Sequence, residues 1–200
     1  MEVVTELATL TTTLQKKLNE AMASLTRQSV DLSIKDSGVL TTTEVHKWLN
    51  APESAFTAIY VPIIGEVTGD IFVFLPEQSA YNIADLMIGN PLGTTTMVTE
   101  FEGSALKEMG NITTGVIVTE IADALKLSMM LTTPNLATDM VGALVDQVLI
   151  EYGEISDKLL GLQFPFNIKP QNTEITGSFV LFFDSASFDI INKKIKGATS

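Results

Sequence analysis

The sequence predicts an α+β fold of two layers, in which two similar halves contribute antiparallel strands to one sheet and helices cover it. Three observations carry that prediction. Long stretches with helical apolar spacing alternate with short β-branched and aromatic runs. A strand–turn–helix unit in the first half recurs in the second. The 200 residues, 46% hydrophobic and 18% charged, suffice for one core-forming domain rather than a disordered tail.

The elements follow in order. Val3, Leu7, Leu10, Leu14, Leu18, Ala21 and Leu25 fall at helical spacing and predict one apolar face of a long first helix. Residues 30–45 read as two short strands about a turn at Asp36-Ser37-Gly38. Strands are predicted at 55–64 and 66–75, separated by Gly65, then a helix over 77–88 that stops at Gly89-Asn90-Pro91. Gly93 to Thr96 is the best linker in the chain. Beyond it come a long helix at 98–126, a helix at 137–151, strands at 158–168 and 173–183, and a last helix at 185–196.

The repeat is read by shifting residues 66–89 onto 174–197. Glu66 meets Glu174, Thr68 meets Thr176, Gly69 meets Gly177, Phe74 meets Phe182, Ser79 meets Ser187, Ile83 meets Ile191 and Gly89 meets Gly197. Chance would give about one or two identities in such a window. The polar and glycine positions agree as well as the apolar ones, so we read residues 1–200 as a single domain built from a first repeat, 1–92, and a second, 97–197.

Composition narrows the function. A formal net charge of −12 repels phosphate backbones and anionic membrane surfaces, which argues against nucleic-acid binding. No apolar run approaches the ~18 residues of a membrane span, so no membrane insertion is expected. The start, MEVVTELATL, lacks the basic region of a signal peptide, and there is no cysteine; both suit a cytoplasmic protein. No P-loop, nucleophile elbow or carboxylate cluster with metal spacing is present, so no metal site is expected. His46, beside Trp48, reads as structural.

The informative segment is the helix predicted at 98–126. Phe101, Ala105, Met109, Ile112, Val116 and Ala124, widened by Leu106, Ile117 and Ile121, are expected to face the core. Ser104, Glu108, Asn111 and Gly115 fall on another stripe, with Ser104 and Asn111 within roughly 20° of each other and Glu108 one turn from each. Gly110 and Gly115 each cost about 1 kcal/mol relative to alanine inside a helix. A helix that keeps both is expected to need them for packing or access, and Gly115 would leave bare backbone where a partner surface could come close.

An isolated E-x2-N on an exposed helix face is ordinary. Here Ser104-x3-Glu108-x2-Asn111 is followed, after 22 intervening residues, by Pro134. That pattern resembles the D/S-x3-E-x2-N-x22-P signature of the CheC, CheX and FliY phosphatase family, and the duplicated layout is similar across essentially the whole chain. The resemblance implies a CheC-like fold and hydrolysis of the aspartyl phosphate of a CheY-type response regulator in chemotaxis signalling. It implies that Asn111 orients the attacking water, that Glu108 meets the receiver's lysine, and that Ser104 and Pro134 support them, Pro134 by shaping the chain. It implies no cofactor of the chain's own, the Mg²⁺ being carried by the receiver. CheD is a further partner implied by the family, and a CheD-binding adaptor with little turnover is the alternative reading. A structural flagellar-switch component is the third.

CheC commonly carries the motif in both halves. A shift of about 95 puts Thr13 and Lys16 at the positions of Glu108 and Asn111, and no nearby shift restores E-x2-N. One active site, in the second repeat, is expected.

Overall fold

The computed structural model describes residues 2–33, 36–50, 54–155 and 158–197. The first half runs α1 (Glu2–Thr26), β1 (Val30–Leu32), β2 (Asp36–Thr41), the short α2 (Val45–Leu49), β3 (Ala55–Gly65), β4 (Gly69–Pro76) and α3 (Glu77–Ile88). The second runs α4 (Glu100–Leu125), β5 (Met129–Leu131), β6 (Asn135–Met140), α5 (Val141–Ile155), β7 (Lys158–Ile168), β8 (Ile175–Asp184) and α6 (Ser185–Gly197). The two halves repeat the same order of elements.

The eight strands of the described residues form one antiparallel sheet. Its path is β1-β7-β8-β4-β3-β5, with β2 continuing the β1 edge along β7 and β6 continuing the β5 edge along β3. Each half therefore lends its two short strands to one edge and its two long strands to the middle. The edge strands cross over: β1 and β2 pair with β7 of the second half, while β5 and β6 pair with β3 of the first. This interleaving prevents either half from completing its part of the sheet alone.

The central strands explain their own composition. Side chains alternate between sheet faces, and β4 is buried from Gly69 to Leu75. Ile71, Val73 and Leu75 join the large core beneath α1, α3, α4 and α6, together with Phe179, Leu181 and Phe183 of β8. Phe72, Phe74, Val180 and Phe182 face the opposite way, into a second cluster covered by α2 and α5. The α+β arrangement of helices on a shared sheet is as expected, and α2 and α5 add cover on the far face.

Several boundaries differ from the expected ones. The segment 137–140 continues a strand, and the helix after it is α5, which begins at Val141. Four residues of β-ladder with β3, Ala55↔Met140 to Thr57↔Thr138 and Ala58↔Ala137, outweigh the local helical pattern. Asp36, Ser37 and Gly38 lie in β2, paired with Gln163, Leu162 and Gly161, rather than in a turn. Part of the break between β1 and β2, residues 34 and 35, lies outside the described residues. The linker at 93–96 is anchored: the fully buried Asp85 accepts hydrogen bonds from the Thr94 and Thr95 amides at 3.0 Å and from the Thr95 hydroxyl at 2.7 Å. His46 sits on α2 and its Nε2 lies 2.8 Å from Asp146 of α5, a structural bridge.

Candidate functional site

α4 starts where its chemistry requires. Thr99 is the N-cap, its hydroxyl accepting from the Phe101 amide at 3.3 Å while the Glu102 carboxylate accepts from the Thr99 amide at 3.0 Å. This capping box fixes the first turn. The Thr99 hydroxyl also donates to Glu102 and holds that carboxyl below the usual range. The helix ends at Lys126, whose left-handed backbone (φ 51°) closes the last turn.

The buried face of α4 matches the expected one at Leu106, Met109, Ile117 and Ile121 and departs from it at Phe101 and Ala124. Gly103, Leu106, Met109, Gly110, Thr113, Thr114, Ile117, Val118, Glu120 and Ile121 are buried, whereas Phe101 is 65% exposed and Ala124 is exposed too. Apolar residues lie nearly all round this helix, so periodicity alone does not fix its orientation. The polar residues decide it. Thr113 and Thr114 can be buried because their hydroxyls donate to the Met109 and Gly110 carbonyls at 2.7 Å each. Glu120 is covered because it meets Lys17 of α1, whose ammonium that contact holds above its usual range.

Gly110 is the point of closest approach between α4 and the sheet. A Cβ there would collide with the Cγ2 of Ile59 in β3, a fully buried side chain. Its glycine is required by packing, as the sequence predicted. The next residue, Asn111, is thereby set at the level of the sheet edge. Gly115 is different: a Cβ there would meet nothing within 4 Å.

The sheet edge supplies the other wall. β5 pairs with β3 at Ile63↔Leu131 and Ile64↔Met130, and β6 resumes pairing with β3 at Tyr60↔Asn135. The intervening Thr132 donates its amide to the Pro62 carbonyl at 3.0 Å. Pro134 has no amide to give, so the ladder breaks there. The break faces α4. Ser104, Lys107, Glu108 and Asn111 from the helix, Ile64 from β3, and Leu131, Thr132, Thr133 and Pro134 from the break line one open groove.

All four motif positions, Ser104, Glu108, Asn111 and Pro134, thus share one groove, and Pro134 is a wall of it as well as a shaper of the chain. Gly115 lies on the same stripe, one turn beyond Asn111, outside the groove lining. The Ser104 hydroxyl donates to the Glu100 carbonyl at 2.8 Å, which leaves its oxygen a lone-pair acceptor facing the groove rather than a free donor. Sequence reasoning missed Lys107, one turn before Asn111 on the same helix, which its spacing could have revealed. It missed Ile64 and residues 131–133 because strand pairing, not local pattern, brings them there. Among the described residues, no group of three or more His, Asp or Glu side chains stands close enough to hold a metal ion.

The first half offers a counterpart helix but not a counterpart motif. Arg27 ends α1 in the same left-handed conformation (φ 56°) as Lys126 ends α4, and β1 begins at Val30 as β5 begins at Met129. These equivalences set the shift at 99 residues rather than 95. Thr9 and Thr12, in place of Thr13 and Lys16, correspond to Glu108 and Asn111. The expected lack of E-x2-N in α1 holds at the corrected register.

An acid and a carboxamide thus lie side by side on one helix and face a proline-broken sheet edge. The CheC-like family model matches residues 101–137, the span from α4 through the break to β6. The chain is 26% identical over 175 residues, 84% of its own length and 82% of the relative's, to the CheY-P phosphatase CheC of Bacillus subtilis (strain 168). Its fold matches Thermotoga maritima FliY (TM-score 0.70, 13% identity, 92% of this chain and 90% of that one). It also matches the FliM middle domain of H. pylori (TM-score 0.67, 10% identity, 97% and 98%). Proteins with different names share this fold, so the fold alone does not select an activity. No helix among the described residues is long and apolar enough to cross a membrane.

Proposed function

We propose that this chain is a cytoplasmic phosphatase of a phosphorylated CheY-type receiver domain, with one active site formed by Glu108 and Asn111 on α4. The observation that carries this reading is the groove itself. The carboxylate and the carboxamide project side by side from α4 into it, and neither makes a hydrogen bond or ion pair with the rest of the described chain. Side chains left unpaired on a rigid helix are available to a partner.

The chemistry asked of them is modest. A water attacks the phosphorus of the aspartyl phosphate, the bond from phosphorus to the carboxylate oxygen breaks, and inorganic phosphate and a free aspartate result. The Mg²⁺ of the reaction belongs to the receiver. Asn111 presents both an acceptor and a donor, and so orients the attacking water relative to the phosphoryl group. Glu108 pairs with the receiver's lysine and fixes the docked pose. Ser104 and Pro134 shape the groove, and the bare backbone at Gly115 gives the partner room. The name of the Bacillus subtilis relative supports this substrate.

The test is phosphate release from the phosphorylated receiver. Asn111→Ala is expected to slow release at saturating receiver by about 100-fold or more, the usual cost of losing one positioned polar group at a reacting centre. Full activity in a folded Asn111→Ala variant overturns the reading. Tight binding to CheD without any acceleration of receiver dephosphorylation would select the adaptor instead.

A further inference from the structure

The groove is flanked by apolar side chains that the chain itself leaves uncovered. Phe101 on α4 is 65% exposed, Ile64 in the groove wall is 43% exposed, and Met130, its ladder partner, is 59% exposed. Directly opposed residues of an antiparallel pair point to the same face; Ile63 and Leu131 face the core under α4, so Ile64 and Met130 form an apolar step on the other face of the sheet edge. Phe101 stands on the helix side. It precedes Glu108 by seven residues, which places it within roughly 20° of the same stripe and about 10.5 Å down the helix axis.

We infer that Phe101 is the apolar anchor of the docking surface for the phosphorylated receiver. The inference rests on the phosphatase reading of Glu108 and Asn111. A stable partner covers about 800 Å² on each side, a disc of about 16 Å radius. Centred on Glu108 and Asn111, such a footprint reaches Phe101. A large exposed aromatic within that footprint has apolar area to bury, and such side chains dominate interface energetics.

Charge selects the occupant. The groove offers the ammonium of Lys107 next to the carboxylate of Glu108. That pair complements a surface presenting a phosphoryl anion beside a lysine. A second copy of this chain would bring another net charge of −12 instead.

The experiment uses the full chain and a receiver domain from the same organism, held in its active form with beryllofluoride and Mg²⁺. Phe101→Ser is compared with wild type, with Asn111→Ala, and with Met140→Ser, an exposed apolar residue at the far end of β6. Phe101→Ser is expected to weaken binding at least tenfold, and in turnover to raise KM far more than it lowers kcat. Met140→Ser binds within twofold of wild type. Circular dichroism checks that each variant is folded. If Phe101→Ser binds within twofold while Asn111→Ala loses turnover, the anchor is wrong and the phosphatase reading stands. If wild type neither binds nor dephosphorylates the receiver, both fall. If Phe101→Ser instead converts a wild-type dimer to monomer in sedimentation, the face is a self-interface and the inference is overturned.

Discussion

Phe72 and Val180 face each other across the β4–β8 ladder, and each is the other's counterpart under the 108-residue shift that relates the two halves. The local two-fold relation of the sheet therefore passes between them. Phe72 is 2% exposed, stacks on Phe74 with ring centroids 5.2 Å apart, and lies 4.9 Å from the Tyr60 ring. Removing it should be felt by both halves at once. Phe72→Ala is expected to cost about 3–5 kcal/mol, read as a lower urea midpoint. Because the edge strands cross between halves, the transition should stay single, with fluorescence and circular dichroism coincident.

The two glycines of α4 give opposite predictions. Gly110→Ala forces a Cβ against the buried Ile59 and should destabilise the fold by about 1–3 kcal/mol. Gly115→Ala meets open space and should stabilise the helix by about 0.5–1 kcal/mol. If the stripe carries the docked receiver, Gly115→Ala also lowers phosphate release, because the new methyl stands where the partner approaches. Thermal melts and turnover measured on one preparation would separate the two effects. A Gly115→Ala protein both more stable and fully active would remove Gly115 from the interface.

These residues also mark what the sequence made legible. Gly110 stood out because a glycine inside a helix needs a reason, and Glu108 and Asn111 because their spacing to Ser104 and Pro134 resembles a family signature. The 108-residue shift located the central strands because polar and apolar positions recur together. The orientation of α4 was legible only in part: Leu106, Met109, Ile117 and Ile121 face the core as expected, whereas Phe101 and Ala124 do not. Its apolar residues run nearly all round, and the burial of Thr113 and Thr114 depends on hydroxyls bonded back to the helix. β5 and β6 were hidden for another reason: they are short, and only the long β3 defines them by pairing. That is also why half the groove, residues 131–133 and Ile64, could not be read from local pattern.

Lys107 gives a prediction with an ionic-strength signature. Lys107→Glu places a second carboxylate beside Glu108 in the groove that would receive a phosphoryl anion. KM for the phosphorylated receiver should rise about tenfold at low salt. The gap should narrow with added salt, as the screening length falls from about 10 Å at 0.1 M to about 3 Å at 1 M. A salt-independent defect would mean that the substitution acts through the fold instead.

Asp70 on the far face of the sheet should make stability depend on pH. It is 6% exposed and accepts hydrogen bonds from the Tyr60 and Tyr152 hydroxyls at 2.6 Å each. Burial raises its carboxyl above the ordinary value of 3.8, opposed by the two tyrosine donors. A carboxyl whose folded value is raised holds its proton more tightly when folded. Its contribution is therefore fullest below the ordinary value and is lost as pH rises through the raised one. Asp70→Asn cannot titrate and should lack that loss. Urea denaturation of wild type and Asp70→Asn from pH 3.5 to 7 checks this. The wild type is expected to lose stability relative to the variant as pH rises from just below 3.8. A difference that instead grows in favour of the wild type would show that the two tyrosine bonds to the ionised carboxylate outweigh its burial.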